Sequence, residues 1–112
     1  MARFLFVVMT KPAEGREREY NDWYSNQHLD DVISVEGFVA AQRFKLCEGD
    51  GLPGGSPYLA LYEIEAESAA AAQKALGEKS ASGTMFISEA LDLKTVSAAY
   101  YEPITARKAR RG

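Results

Sequence analysis

The stretch from Arg3 to Thr10, RFLFVVMT, is a run rich in Phe and Val. Its apolar residues occupy both alternating positions, which is typical of a central strand buried on both faces. The run is too short for a secretory signal peptide, and it passes into Lys11 and Pro12 without a small-residue cleavage site. It therefore predicts the first strand. Because no stretch is long enough to span a membrane, a cytoplasmic protein is expected.

A helix is expected after this strand. Charged and aromatic residues recur at helical spacing from Glu14 to about Gln27. Beyond His28 the apolar positions move to the opposite side of the helix. We therefore expect a break near His28, with Asp30 capping a further short turn. Such a break would place His28 at a helix end, beside the mouth of a cleft.

Two segments with alternating apolar residues predict the next two strands. In the segment 38–46, Phe38 and Arg43 fall on opposite faces. The segment 58–64 places four residues on one face: Tyr58, Ala60, Tyr62 and Ile64. The turn-rich residues 48–57 between them lack a Gly-Lys-Ser/Thr ending and a following helix, so they predict a long hairpin connection and not a phosphate-binding loop.

The last third of the sequence predicts one helix and one strand. Ser68 is positioned to cap an alanine-rich helix from Ala69 to about Gly77. Residues 79–83 are small and polar, which predicts a mobile connection, and residues 84–91 predict a short helix or an irregular segment. A final strand is expected over residues 94–101. The predicted order of elements is β-α-β-β-α-β.

This order is that of the ferredoxin-like α+β fold, in which a four-stranded antiparallel sheet carries both helices on one face. Apolar residues occur at both alternating positions of the strands, so both faces of the sheet are expected to be buried. One chain cannot cover the second face. The sequence therefore predicts a homodimer that pairs sheet to sheet.

Composition and charge limit the kind of partner. The chain has 112 residues and a net charge of −3, which does not favour binding to nucleic acid. We expect one domain over residues 1–104, followed by a basic, flexible tail over residues 105–112 that is too short to imply membrane binding. Cys47 is the only cysteine, so no disulfide forms within the chain.

The only histidine, His28, follows a helix with an unusual face. Residues three and four apart share a side of a helix, so that face combines aromatic rings, an amide and an imidazole: Tyr20, Trp23, Tyr24, Gln27 and His28. An ordinary amphipathic helix would carry Leu, Val or Ile at these positions. The pattern indicates a ligand pocket with His28 as a general acid/base, although a packed core histidine produces the same pattern.

Other candidates for substrate contact lie on the helix and the strands. Tyr20, Trp23, Tyr24 and Tyr62 can stack on a ligand or hydrogen-bond it, or simply pack in the core. Arg43 can bind a substrate carboxylate, or form a salt bridge within the sheet or the dimer. One histidine and one cysteine far apart do not make a transition-metal site, so neither a metal nor a cofactor is expected.

Five segments together resemble a known family. They are MTKP (residues 9–12), EREYNDWY (17–24), HLDDV (28–32), EGF (36–38) and QRF (42–44). These segments resemble the EthD-like branch of the dimeric α/β-barrel superfamily, and the resemblance extends from Phe4 to about Pro103. Members of that superfamily include cofactor-free isomerases, cyclases, dehydratases and monooxygenases, haem-degrading enzymes, and proteins without an assigned activity.

The resemblance implies a role for one residue. His28 falls on the position of the active-site histidine of the methylmuconolactone isomerases, which are similar in this stretch. Residues 29–31 depart from members that have proline after the histidine and leucine, which leaves the direction of His28 open. We expect a cofactor-independent isomerase, cyclase, dehydratase or related lyase acting on a small aromatic, lactone or polyketide-like carbonyl compound. Two alternatives are a non-catalytic ligand-binding protein of a catabolic pathway and a cofactor-free monooxygenase.

Overall fold

A computed structural model describes residues 1–48 and 55–111. The regular elements are β1 (Ala2–Thr10), α1 (Glu17–Trp23), α2 (Leu29–Ile33), β2 (Phe38–Lys45), β3 (Tyr58–Ala66), α3 (Ala69–Ala81) and β4 (Ser97–Tyr101). A π turn (Tyr24–His28) joins α1 to α2, and a 3-10 turn (Leu93–Thr95) precedes β4. Most of the predicted loop of residues 48–57 lies outside the described residues.

The four strands form one antiparallel sheet in the order β2-β3-β1-β4. The first strand pairs on both sides, with β3 and with β4, as its apolar sequence predicts. Strand order and element order together confirm the ferredoxin-like α+β fold.

The helices cover one face of the sheet. Alternate residues of β3 are buried in the same core as Tyr20, Tyr24 and Val32 of the helices: Tyr58, Ala60, Tyr62, Ile64 and Ala66. The residues between them are exposed or half-buried, and they face away from the helices. The alternation predicted for this strand is therefore confirmed.

The pairing of β2 with β3 contains a β-bulge at Val39. Phe38 pairs with Ile64 before the bulge, and Arg43 pairs with Ala60 after it. Because Ile64 and Ala60 both belong to the buried face, Phe38 and Arg43 lie on the same face of the sheet. The prediction that they lie on opposite faces is wrong, since one extra residue reverses the alternation beyond it.

The predicted helix break near His28 is also wrong. Trp23 and Tyr24 before the turn, and His28 and Leu29 at its end, have right-handed helical backbone angles. The amide of Leu29 donates to the carbonyl of Tyr24, five residues earlier. This i→i+5 bond is that of a π turn, which inserts an extra residue into a continuous helix. The change of phase after His28 is therefore produced by a wider turn. Asp30 lies inside α2 and does not cap it.

The second half of the chain follows the predicted order with shifted boundaries. The hydroxyl of Ser68 accepts a hydrogen bond of 3.0 Å from the amide of Ala71, as expected of an N-cap. Helix α3 continues past Gly77 into residues predicted to be a mobile connection, because the glycine is flanked by strong helix formers. The last strand starts at Ser97 and not at residue 94, because Asp92 caps the 3-10 turn before it.

Residues 102–111 follow β4 without helix or strand, and they are exposed. Within residues 1–48 and 55–111, no helix has the length and apolar character needed to cross a membrane.

Candidate functional site

A cavity of about 510 Å³ lies between the sheet and the elements that cover it. Its volume is within the range of about 300–1,000 Å³ that is usual for small-molecule sites. Most of the lining is apolar and comes from the sheet, from α3 and from the segment before β4: Phe6, Val8, Leu76, Met85, Ile87 and Leu91. The π turn and the neighbouring strands add the polar groups His28, Tyr24, Tyr62 and Thr10.

The π turn fixes the position of His28 on the cavity wall. The imidazole stacks on the ring of Trp23, with ring centroids 4.7 Å apart and an interplanar angle of 28°. The ring of Tyr24 meets it edge-on at 4.9 Å and 86°. Residues five apart point in different directions in a regular α-helix, so the wider turn is what brings His28 onto Trp23.

The surroundings of His28 favour the neutral imidazole. Burial lowers its pKa from 6.5 to about 4, and the positive charge of Arg43 acts in the same direction. The carboxylate of Asp31 opposes this change and raises the pKa. At neutral pH the ring is therefore uncharged and able to accept a proton.

Two tyrosine side chains line the same cavity as the histidine. The hydroxyl of Tyr62 donates to the hydroxyl of Tyr24 over 3.3 Å. Burial raises the pKa of Tyr24 to about 12 and raises that of Tyr62 further, so both phenols keep their protons. Because Tyr24 accepts in this pair, its own proton remains free for a ligand.

Arg43 lies behind this wall, enclosed by aromatic rings. Its guanidinium carbon lies 4.6 Å from the ring centre of Tyr24 and 5.2 Å from those of Tyr20 and Tyr58. The guanidinium also donates to Ser25 Oγ at 2.8 Å and to Asn21 Oδ1 at 2.9 Å. These contacts hold the first helix against β2 and β3 by cation–π attraction and hydrogen bonds.

The structure therefore separates the predicted site residues into two groups. His28, Tyr24 and Tyr62 line the cavity, whereas Tyr20, Trp23 and Arg43 are not among its lining residues. Each of the second group has a supporting contact inside the fold. Tyr20 hydrogen-bonds Thr10, and the indole of Trp23 donates to the carbonyl of Phe86 over 3.2 Å.

One member of the predicted aromatic face lies elsewhere. Gln27 is exposed, because the π turn rotates it away from the cavity.

Tyr100 is a lining residue that the sequence did not single out. It stacks on Phe6, with ring centroids 4.3 Å apart and an interplanar angle of 21°. Its hydroxyl is buried without a hydrogen-bond partner in the described part of the chain. The pairing of Phe6 with both Tyr62 and Tyr100 would have indicated this position, since cross-strand partners share a face.

Comparisons with known proteins support the fold. No protein-family model matches the sequence, and neither does any curated protein. An EthD family protein from Bacillus halodurans matches with a TM-score of 0.61 and 17% identity, over 93% of this chain and 100% of that chain. An EthD-like protein from Ralstonia eutropha matches with a TM-score of 0.57 and 17% identity, over 98% and 99% of the two chains.

A third solved structure is the haem-degrading protein MhuD from Mycobacterium tuberculosis, which has two haems bound in its active site. It matches with a TM-score of 0.63 and 13% identity, over 94% of this chain and 99% of that chain. The three matches define the class of protein by its fold alone, a ferredoxin-like α+β fold. Two of them are EthD-like, which confirms at the level of the fold the resemblance carried by the sequence.

Metal-ligating groups are dispersed in the described part of the chain. No three His, Cys, Asp or Glu side chains of residues 1–48 and 55–111 approach one another closely enough to hold a metal ion. The polar side chains that line the cavity are one imidazole, one carboxamide and five hydroxyl groups: His28, Gln73, Thr10, Tyr24, Tyr62, Ser80 and Tyr100.

Proposed function

We propose that the cavity binds a small, largely apolar carbonyl compound and that His28 acts on it as a general acid/base without a cofactor. One observation carries the proposal: the only imidazole of the chain is held neutral on the wall of an apolar cavity of small-molecule size. Aromatic, lactone and polyketide-like compounds fit such a lining, because rings can stack on Phe6 and Tyr100.

The proposed chemistry moves one proton and requires no redox partner. The neutral imidazole accepts a proton from a carbon next to the carbonyl group, or from a hydroxyl, and returns it to another atom of the same molecule. Negative charge develops on the carbonyl oxygen during this transfer. The free proton of Tyr24 stabilises that charge, and Tyr62 supports Tyr24 through their hydrogen bond. Isomerisation, cyclisation and dehydration all follow this scheme.

The residues behind the wall act as supports. Trp23 fixes the plane of the imidazole, and Arg43 fixes the phenol of Tyr24. Tyr20 ties the same helix to β1 through Thr10. These contacts hold the reacting groups in place before the ligand enters, which lowers the cost of ordering them on binding.

Replacement of His28 by Gln tests the catalytic role. A panel of enol lactones, hydroxyquinones and β-keto esters is first screened for binding by ligand-detected NMR, and compounds that bind are followed for product formation. We expect H28Q to lower kcat by about 10²–10⁴-fold, the usual contribution of acid–base catalysis, while the affinity changes little. A control variant, Q27E, alters an exposed neighbour and should keep full activity. Unchanged turnover in H28Q would refute the assignment.

Ligand binding without chemistry is the second candidate function. The observation that favours it is the lowered pKa of His28, because a weakly basic imidazole is a poor proton acceptor. In that case compounds of the panel bind, but none is converted, and H28Q alters affinity only. Oxygen uptake during the same assays, and a parallel titration with haemin, distinguish a cofactor-free monooxygenase and a haem-binding protein from both candidates.

We also propose that two copies of the chain pair through the face of the sheet that the helices leave open. Large apolar side chains of β1, β2 and β4 are exposed there in the single chain: Leu5, Met9, Val39, Phe44 and Tyr101. Several large apolar side chains exposed on one face of a sheet are typical of a protein–protein interface. Along each strand, the side chains of this open face alternate with the side chains that face the cavity.

A further inference from the structure

Two buried polar atoms in one turn of the helix lack hydrogen-bond partners in the described part of the chain. They are Nδ1 of His28 and Oδ2 of Asp31. One is a ring nitrogen that can carry a proton, and the other is a carboxylate oxygen that can accept one. Buried polar groups are almost always paired, so two complementary unpaired atoms so close in sequence require an explanation.

We propose that Asp31 is a positioning residue for His28: its carboxylate accepts the hydrogen bond of the Nδ1–H group, which leaves the lone pair of Nε2 for the ligand. This inference rests on the proposed role of His28 and names the group that prepares it for proton transfer. A buried carboxylate that holds the far nitrogen of an imidazole fixes both the tautomer and the direction of the ring.

The helix places the two side chains within reach. His28 ends the π turn and Asp31 lies three residues later in α2, a spacing at which side chains are neighbours on a helix. A rotation of the Asp31 side chain, or one bridging water molecule, joins the two unpaired atoms. The hydroxyl of Ser34 does not compete for the carboxylate, because it donates to the backbone carbonyl of Asp31 over 2.6 Å.

The charges around the imidazole agree with this pairing. Asp31 is the negative group that raises the pKa of His28, and Arg43, behind Tyr24, is the positive group that lowers it. The other rings in contact with the imidazole, Trp23 and Tyr24, are uncharged at neutral pH. Asp30 is the adjacent carboxylate, but it is exposed to solvent. Of the two carboxylates, only Asp31 is placed to hold the ring.

Nitrogen-15 NMR of the full-length protein tests the proposal directly. The chain has one histidine, so its two ring nitrogens are observed without overlap from others. In the wild type at pH 7 we expect the proton on Nδ1 and a pyridine-type signal from Nε2. A wild-type spectrum with the proton on Nε2 would overturn the inference, whatever the variants show.

Two carboxamide variants separate a specific contact from the loss of one negative charge. We expect D31N to move the tautomer toward Nε2–H and to lower the pKa of His28 below its wild-type value, whereas the matched variant D30N leaves both unchanged. Equal effects of D31N and D30N, or no effect of D31N, would contradict the contact. In a turnover assay, D31N should reduce kcat by about 10-fold or more while KM changes little.

The failure of this inference can be told apart from the failure of the proposed function. If H28Q retains full turnover but the wild type has its proton on Nδ1, the pairing with Asp31 stands and the catalytic role falls. If H28Q abolishes turnover but the tautomer is Nε2–H, His28 is catalytic and Asp31 does not position it.

Discussion

The two faces of the same sheet differ in how completely this chain covers their side chains. On the helix-covered face, aromatic rings enclose Arg43, hydroxyl groups pair, and the remaining space is a defined cavity. On the opposite face, apolar side chains such as Leu5 and Phe44 are exposed, and no helix of residues 1–48 and 55–111 covers them. Both patterns come from the same alternating strands. The comparison supports both proposals, a small ligand in the cavity of the first face and a second copy of the chain on the other face.

A charge on the open face is expected to have the largest effect, because it would dissociate the proposed dimer. Leu5 is 40% exposed and lies between Glu63 and Tyr101 in the sheet. L5K places an ammonium group beside Glu63, which a single chain tolerates but an apolar interface does not. Sedimentation velocity should show a dimer for the wild type and a monomer for L5K.

The matched control for this variant lies on the other side of the molecule. Ile33 of α2 is 37% exposed, nearly the same as Leu5, so I33K introduces the same charge at the same exposure. It should remain a dimer. A monomeric wild type, or a dimeric L5K, would contradict the pairing of two copies through the open face.

Truncation of one residue on each face of β3 gives the next largest effect. Ile64 is 1% exposed on the helix-covered face, and I64A should reduce the free energy of unfolding by about 2–5 kcal/mol. Leu61 is half-buried on the open face. If the chain is a monomer, L61A should reduce the free energy of unfolding clearly less than I64A does. If the chain is a dimer, the loss of free energy of unfolding in L61A approaches that in I64A, and the denaturation midpoint depends on protein concentration. Urea denaturation at two protein concentrations distinguishes these outcomes.

The smallest expected effect is the pH dependence that His28 gives to stability. Its pKa is about 4 in the folded protein, below the ordinary value of 6.5, so the unfolded chain binds more protons between these values. Stability is therefore full above pH 6.5 and falls as the pH falls toward 4, by at most about 3 kcal/mol. Urea denaturation across this range should show the loss.

The variant H28Q is the reference for this measurement. In H28Q the free energy of unfolding should change less between pH 6.5 and pH 4, because glutamine does not titrate. The same slope in wild type and H28Q would mean that carboxylates alone produce it, and that the imidazole is less buried than the cavity wall implies.

Much of the fold was predictable because it depends on local patterns. The strand order follows from the sequence of elements, the buried face of β3 from strict alternation, and the start of α3 from Ser68. Each of these features is encoded in a few adjacent residues whose physical preference agrees with the final structure.

The two errors about the direction of side chains have one common physical cause. The β-bulge at Val39 and the π turn before Leu29 each add one residue to a regular element, and composition carries no signal for such an insertion. Every side chain beyond the added residue then points elsewhere. For this reason the sequence predicted His28 as a pocket residue but not that it lies in a continuous helix, and it placed Arg43 and Phe38 on opposite faces of the sheet.

The stack of His28 on Trp23 also gives this protein a built-in optical signal. Trp23 is the only tryptophan, so all indole emission comes from a ring 4.7 Å from the imidazole. A ligand that enters the cavity, or a proton that binds His28, changes the surroundings of that single fluorophore. Because the π turn maintains the stack, a conversion of this turn to regular α-helix would change the emission as well. Ligand binding in the cavity, protonation of His28 and rewinding of the π turn can thus be followed by the fluorescence of the unlabelled chain.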